Sequence, residues 1–155
     1  MLNFTVKNSM NSILIHTHSG LRWVALVLIV GAIINSMLSK SRNTYEKKDK
    51  LLNLFAMISL HLQLTIGLIL YFISDKVQFS AGWMKNTLLR FYGMEHFLLM
   101  LLAIIIVTIG RRKAENASEA AQKHGKIMVW YAIGLLLILA GIPWPFRAIL
   151  GGGWF

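Results

Sequence analysis

The chain has 155 residues, of which 56% are hydrophobic and 14% charged, and it contains no cysteine. Its mean hydropathy is +0.60. Water-soluble domains usually carry about 25% charged residues, so this composition favours a membrane protein. The lack of cysteine excludes disulfides, iron–sulfur clusters, thiolate metal sites and covalent haem attachment. The net charge of +10 does not indicate nucleic acid, because the basic residues collect beside apolar runs and form no stripe with interleaved aromatics.

Four apolar runs are long enough, at roughly 20 residues each, to cross a bilayer, and only helices satisfy their backbone groups there. They are predicted at about residues 13–38, 51–74, 88–110 and 127–143. The sequence therefore predicts a single all-α domain over residues 1–155, an integral membrane four-helix bundle with up-down-up-down topology. The first run is interpreted as a retained span, because no signal-peptide cleavage site precedes it.

The basic residues predict the orientation of the bundle. Ten of the 16 lysines and arginines lie in two connecting segments, SKSRNTYEKKDK and RRKAENASEAAQKHGK, and the second is expected to add a helical turn or two before the fourth span. The only basic residues in the segment DKVQFSAGWMKNT are Lys76 and Lys85. The positive-inside rule therefore predicts that the two basic loops are cytoplasmic and that both termini lie outside, in a bacterial inner membrane.

The first helix begins with IHTHSGLRW, which places two histidines and an arginine at the mouth of an apolar run. His16 and His18 are two residues apart and so point about 200° away from each other. His18 is favoured to face the bundle because Arg22, four residues later, shares its face. His16 is expected to lie at the membrane interface.

The second and third helices add His61, Glu95 and His96. With a rise of about 1.5 Å per residue, His61 lies near mid-membrane and His96 lies within roughly one turn of the same depth. Arg22 and Glu95 reach nearly equal depths on different helices and are predicted to pair, since an unpaired charge there is expensive. That pair is either structural or part of a propionate-binding or proton-transfer site.

The polar side chains thus collect in the half of the bundle next to the termini, while the half next to the basic loops is predicted to be nearly pure hydrocarbon. Facing imidazoles, flanked by Gly67 and Gly93 and framed by Trp23, Tyr92 and Trp144, suit a flat aromatic cofactor. A haem b held by two histidines fits best, with its propionates near an arginine. The candidate axial ligands are His61, His96 and His18, and the choice between them is open.

The motifs HTHSGLRW, SLHLQLTIGLILYF, LRFYGMEHF and IPWPFRAILGGGWF resemble those of a family of small four-span membrane proteins common in Bacteroidetes and labelled cytochrome b. The resemblance runs from Leu14 to Phe155, and the closing segment from Pro143 is its most specific part. It implies haem b and electron transfer. The architecture also resembles the four-helix b561-type cytochromes, which bind two haems near opposite membrane faces. This chain departs from that pattern, because its inner side has only His124, expected to be a plain juxtamembrane residue, so at most one haem is supported.

Three functions from different classes are compatible with these features. The first is a one-haem membrane cytochrome, an electron carrier or subunit that accepts electrons from a quinol or a respiratory-chain protein. The second is a non-redox transporter-like protein or accessory subunit whose His/Arg/Glu cluster, including His61, His96 and His18, binds a divalent metal or relays protons. The third is a structural subunit, with a homo-oligomer or a larger complex as its assembly. The chain shows no nucleophile–base pair, phosphate loop or carboxylate dyad that would indicate a hydrolase or kinase.

Overall fold

The computed structural model describes residues 2–154, without the side chains of residues 2–8 and 42. The chain forms four long helices, α1 Leu2–Ser39, α2 Lys47–Ile73, α3 Thr87–Glu115 and α4 Ala120–Gly141. Each has a segment long and apolar enough to cross a membrane, and the described residues contain no strand. The predicted all-α four-helix bundle is confirmed. The basic segment between α3 and α4 is helical almost throughout, with a break of four residues at 116–119.

The helices pack in a ring in which α1 contacts α2 and α4, and α3 contacts α4 closely and α2 less closely. Two glycines explain the close approach of α3 and α4. A β-carbon at Gly134 would overlap Val107, and one at Gly110 would overlap Trp130. Small residues at helix contacts let backbones approach closely in lipid, where the hydrophobic effect does not drive helices together.

Beyond α4 the chain crosses back over one end of the bundle. The helix stops at Gly141 because Ile142 is extended before Pro143, as residues preceding proline favour. We call the segment Pro143–Trp154 the strap; it contains one short 3-10 turn, Ala148–Leu150. The end of the bundle that the strap covers is the strap end. The opposite end, with the connections 40–46 and 116–119, is the loop end.

The loop end is not the plain hydrocarbon that the sequence predicted. Asp49 is buried, accepts a hydrogen bond from Asn35 Nδ2 at 2.7 Å, and closes a capping box with Glu46 at the start of α2. Asn53 is buried as well, and its side chain donates to the Tyr45 hydroxyl at 3.0 Å. The short 40–46 connection brings polar groups into the bundle, and these side chains form hydrogen bonds with several of them.

His124 also departs from its prediction as a plain juxtamembrane residue. Its side chain is fully buried, its Nε2 lies 2.9 Å from the carbonyl oxygen of Thr44, and its ring contacts Tyr45 at 5.1 Å between centroids. On the same helix, the buried Tyr131 donates to the Asn53 carbonyl oxygen at 2.8 Å. Between this network and the strap end lies an apolar layer formed by buried side chains from all four helices, including Ile29, Ala56, Leu60, Val107 and Ile138.

Candidate functional site

A cavity of about 440 Å³ opens between the four helices at the strap end. Its wall is mostly hydrocarbon, from residues such as Leu26, Leu64 and Ile138. Polar side chains enter it from α1, α2 and α3, and three glycines of the strap, Gly151 to Gly153, lie against it. A mostly apolar cavity with a few convergent polar groups is the usual form of a ligand site.

Two imidazoles meet across this cavity. His18 of α1 and His96 of α3 both line it, their ring centroids lie 6.4 Å apart, and their planes are inclined by 74°. They come from helices that run on opposite sides of the cavity, since α1 contacts α2 and α4 and α3 contacts the same two helices. No other pair of histidine rings meets in this way within residues 2–154.

His18 is held by its contact with α2. A β-carbon at Gly67 would lie 3.2 Å from His18 Cε1, so a side chain at this position would press against the ring and shift it. The backbone carbonyl oxygen of His18 accepts a hydrogen bond from Gln63 Nε2 at 2.8 Å. The Nδ1 atom of His18 is buried and has no hydrogen-bond partner among the described residues. Because buried polar atoms usually have a partner, this nitrogen is available to a ligand in the cavity that His18 lines.

His96 is oriented by α4. Its Nδ1 donates to the carbonyl oxygen of Gly141 at 2.8 Å, so the lone pair of this tautomer lies on Nε2. A hydrogen bond of this kind from one ring nitrogen is the usual support for a histidine whose other nitrogen binds a metal. The close approach that permits it again needs a glycine, because a β-carbon at Gly141 would meet Met100 and Leu99.

A π-helical turn, Phe91–Glu95, precedes His96 directly. The backbone N–H of His96 donates to Phe91, five residues earlier, and the Gly93 carbonyl oxygen accepts from the Tyr71 hydroxyl at 2.8 Å. Single π turns inside α-helices are rare and occur frequently at functional sites. The turn therefore marks the start of the histidine-bearing part of α3 as specialised.

The predicted pair of Arg22 and Glu95 is wrong. Glu95 accepts instead from Arg90 Nε at 2.7 Å, an ion pair in which both side chains are about one-third exposed. The π turn explains the difference, because its wider winding brings residues five apart onto nearly the same face. Arg22 lines the cavity and donates to two strap carbonyl oxygens, Trp154 at 2.8 Å and Gly153 at 3.3 Å.

The structure does not bring His61 to the cavity. His61 is exposed on α2, its Nδ1 lies 2.8 Å from the carbonyl oxygen of Met57, and its Nε2 lies 3.5 Å from the Thr108 hydroxyl of α3. Counting residues gives an approximate depth for His61, but it does not show whether the side chain points into the cavity or away from it. His16 is exposed, as expected for an interfacial residue.

Lys76 is a cavity residue that the sequence analysis did not single out. It follows α2, lines the cavity, and donates to the Gly151 carbonyl oxygen at 3.3 Å. Burial lowers the pKa of its ammonium group below the usual value. A lysine in a loop between two spans carries no sequence signal of this role; the glycine-rich closing segment was the available hint that backbone approaches a ligand there.

The described residues contain no group of three or more histidine, cysteine, aspartate or glutamate side chains placed to hold a metal ion by themselves. Comparisons with protein-family models, with curated proteins and with solved structures found no match. The functional argument therefore depends on the geometry of the site.

Proposed function

We propose that this protein is a membrane cytochrome that binds one b-type haem between His18 and His96 and serves as an electron carrier. The observation that supports it best is the 6.4 Å separation of the two imidazole centroids across the cavity. A metal–imidazole bond is about 2 Å long and the ring centroid lies about 1.1 Å behind the nitrogen, so two histidines that bound one metal from opposite sides would have centroids about 6.2 Å apart.

The donor set also fits haem better than a bare metal ion. Two histidines reach the cavity, and no histidine, cysteine, aspartate or glutamate joins them to form a group of three in the described part of the chain. Such a pair suits a metal whose remaining ligands belong to the cofactor. The apolar wall suits the faces of a macrocycle, and the volume of about 440 Å³ lies within the usual range for ligand sites.

The residues of the chain would then hold and tune the group. The hydrogen bond to Gly141 fixes the His96 ring and increases the basicity of its free nitrogen. Gly67 leaves room for the His18 ring. When bound, a haem with two histidine ligands supplies one-electron transfer. The positive-inside rule would place the strap end outside, so we expect exchange with a quinol or a respiratory-chain protein at that side of a bacterial inner membrane.

The test is an optical spectrum of the detergent-solubilised protein, with variants that separate the three candidate histidines. We expect red protein with a sharp reduced α-band and a haem b content of one per chain by pyridine haemochrome. His18→Ala and His96→Ala should each lose the band, while His61→Ala, a matched change on the same kind of helix, should keep it. Colourless protein from haem-replete cells, or loss of the band in His61→Ala alone, would overturn the proposal.

A further inference from the structure

The strap end contains two cations that line the same cavity. Arg22 and Lys76 both line the cavity and neither forms an ion pair with a carboxylate among the described residues. The acidic side chains nearest in sequence are committed elsewhere: Glu95 pairs with Arg90, and Asp75 is exposed. Cations that border an apolar cavity are expensive unless an anion joins them.

Both cations now bind neutral acceptors on one short piece of backbone. Lys76 donates to Gly151, and Arg22 donates to Gly153 and Trp154. Three residues of extended chain span at most about 10 Å, so the two donors lie within reach of the two acidic groups of one small molecule. A carboxylate carries a full negative charge and can accept two parallel hydrogen bonds from an arginine, whereas a carbonyl oxygen is neutral, so carboxylates would replace the strap carbonyls.

Tyr92 links this pair to the histidines. The Lys76 ammonium lies 5.0 Å from the centroid of the Tyr92 ring, and that ring lies 6.2 Å from the ring of His96. The Tyr92 hydroxyl donates to the Leu150 carbonyl oxygen at 3.0 Å, at the edge of the strap. Arg22 lies one helical turn from His18 on the same face of α1. Each histidine therefore has a cation close to it on the strap side.

The strap approaches the cations with backbone alone. Gly151 adopts a left-handed φ of +56°, and a β-carbon at Gly152 would overlap the carbonyl oxygen of Pro143. Side chains at these two positions would either strain the segment or push it away. The strap therefore borders the two cations with the carbonyl groups of Gly151, Gly153 and Trp154.

From this arrangement we infer that Arg22 and Lys76 form a carboxylate-binding subsite beneath the strap, which takes the two acidic side chains of a dicarboxylate macrocycle. The inference rests on the proposed function. It adds that the ligand carries two carboxylates and that Lys76 helps to bind them. The ligand would bind with its carboxylates toward the strap. Arg22 and Lys76 would then donate hydrogen bonds to these carboxylates instead of to the strap carbonyl oxygens.

The experiment compares protohaem with its dimethyl ester, which has the same macrocycle and no acidic groups. Each is titrated into purified apoprotein in detergent, and the dissociation constant is read from the Soret band. We expect the free acid to bind at least about tenfold more tightly than the ester, as a charge-assisted contact predicts. Arg22→Gln and Lys76→Gln should each reduce that ratio, with most of it gone in the double variant.

Two controls keep the result interpretable. Lys85→Gln, at an exposed lysine of the same connection, should leave the ratio unchanged. Arg22→Lys should restore part of what Arg22→Gln removes, since it keeps the charge. Equal binding of acid and ester by the unaltered protein would overturn the subsite while the cytochrome proposal stands. Binding of neither compound would overturn both.

Discussion

The ring of His18 occupies the space that a side chain at position 67 would fill, with its Cε1 atom 3.2 Å from where a β-carbon would be. Helix α1 thus supplies the imidazole, and the glycine of α2 leaves room for it. The histidine is fixed from the side by a glycine, and its Nδ1 atom remains without a partner in the described structure.

Gly67→Val is expected to displace the His18 ring and to weaken haem binding by at least about tenfold, equivalent to ~1.4 kcal/mol. The valine methyl groups would meet an imidazole that α1 cannot move far. A Soret titration measures the effect. Gly31→Val on α1, where a β-carbon meets nothing within 4 Å, is the matched control and should bind haem normally. Undiminished affinity in Gly67→Val would show that His18 is not held in this way.

Gly141→Ala is expected to lower the free energy of unfolding by about 1–3 kcal/mol, because its β-carbon would overlap Met100 and Leu99 and separate α3 from α4. The same separation stretches the hydrogen bond from His96 to the residue 141 carbonyl. Denaturant unfolding in detergent measures the first effect, and the position of the Soret band measures the second. Gly20→Ala, where no atom lies within 4 Å of a β-carbon, should change neither.

Gly152→Ala is expected to open the strap, because the contact it creates is with the backbone of Pro143 and cannot relax by a rotamer change. The absence of cysteine from the sequence provides a clean readout. Ser19→Cys places one thiol in the cavity wall, and we expect a membrane-impermeant maleimide to label it several-fold faster when Gly152→Ala is also present. Equal labelling rates in the two backgrounds would mean that the strap does not cover the cavity.

Asp49→Ala is expected to destabilise the protein by about 1–2 kcal/mol without changing haem affinity. The variant loses the capping box at the start of α2 and leaves the Asn35 amide without its acceptor. Thermal unfolding and a Soret titration of the same sample measure the two quantities. Asp75→Ala removes an exposed carboxylate at the other end of α2 and serves as the control. A large loss of haem affinity in Asp49→Ala would show that the two ends of the bundle are coupled.

The sequence predicted the four helices and the polar groups at the strap end, because hydropathy and residue counts determine lengths and approximate depths. It did not predict which way each helix faces. Lipid and bundle interior are both apolar, so a spanning helix has no strong polar face to reveal its rotation. Similar predicted depths therefore suggested that His61 and His96 face each other. In the structure the ring that faces His96 is His18.

Two other features depend on contacts that no residue pattern encodes. The π turn before His96 lets Glu95 form an ion pair with Arg90, and Arg22 binds the strap instead. A π turn has no reliable sequence signal. The role of Lys76 depends on a strap that folds back from the far end of the chain. At the loop end, the sequence analysis did not predict the buried network, because Asp49 lies in the charged connecting segment and Asn53 was not singled out within the second span.

The apolar layer between the two polar ends affects how charge could move through the bundle. Ile29, Ala56, Leu60, Val107 and Ile138 form a stretch of low dielectric with no titratable or redox-active side chain among them. If the two histidines hold a redox group as proposed, this layer separates it from the loop end, and we expect electrons to enter and leave on the strap side. Under the proposed function the protein is a one-sided relay, which exchanges electrons along a single membrane surface and leaves the membrane voltage untouched.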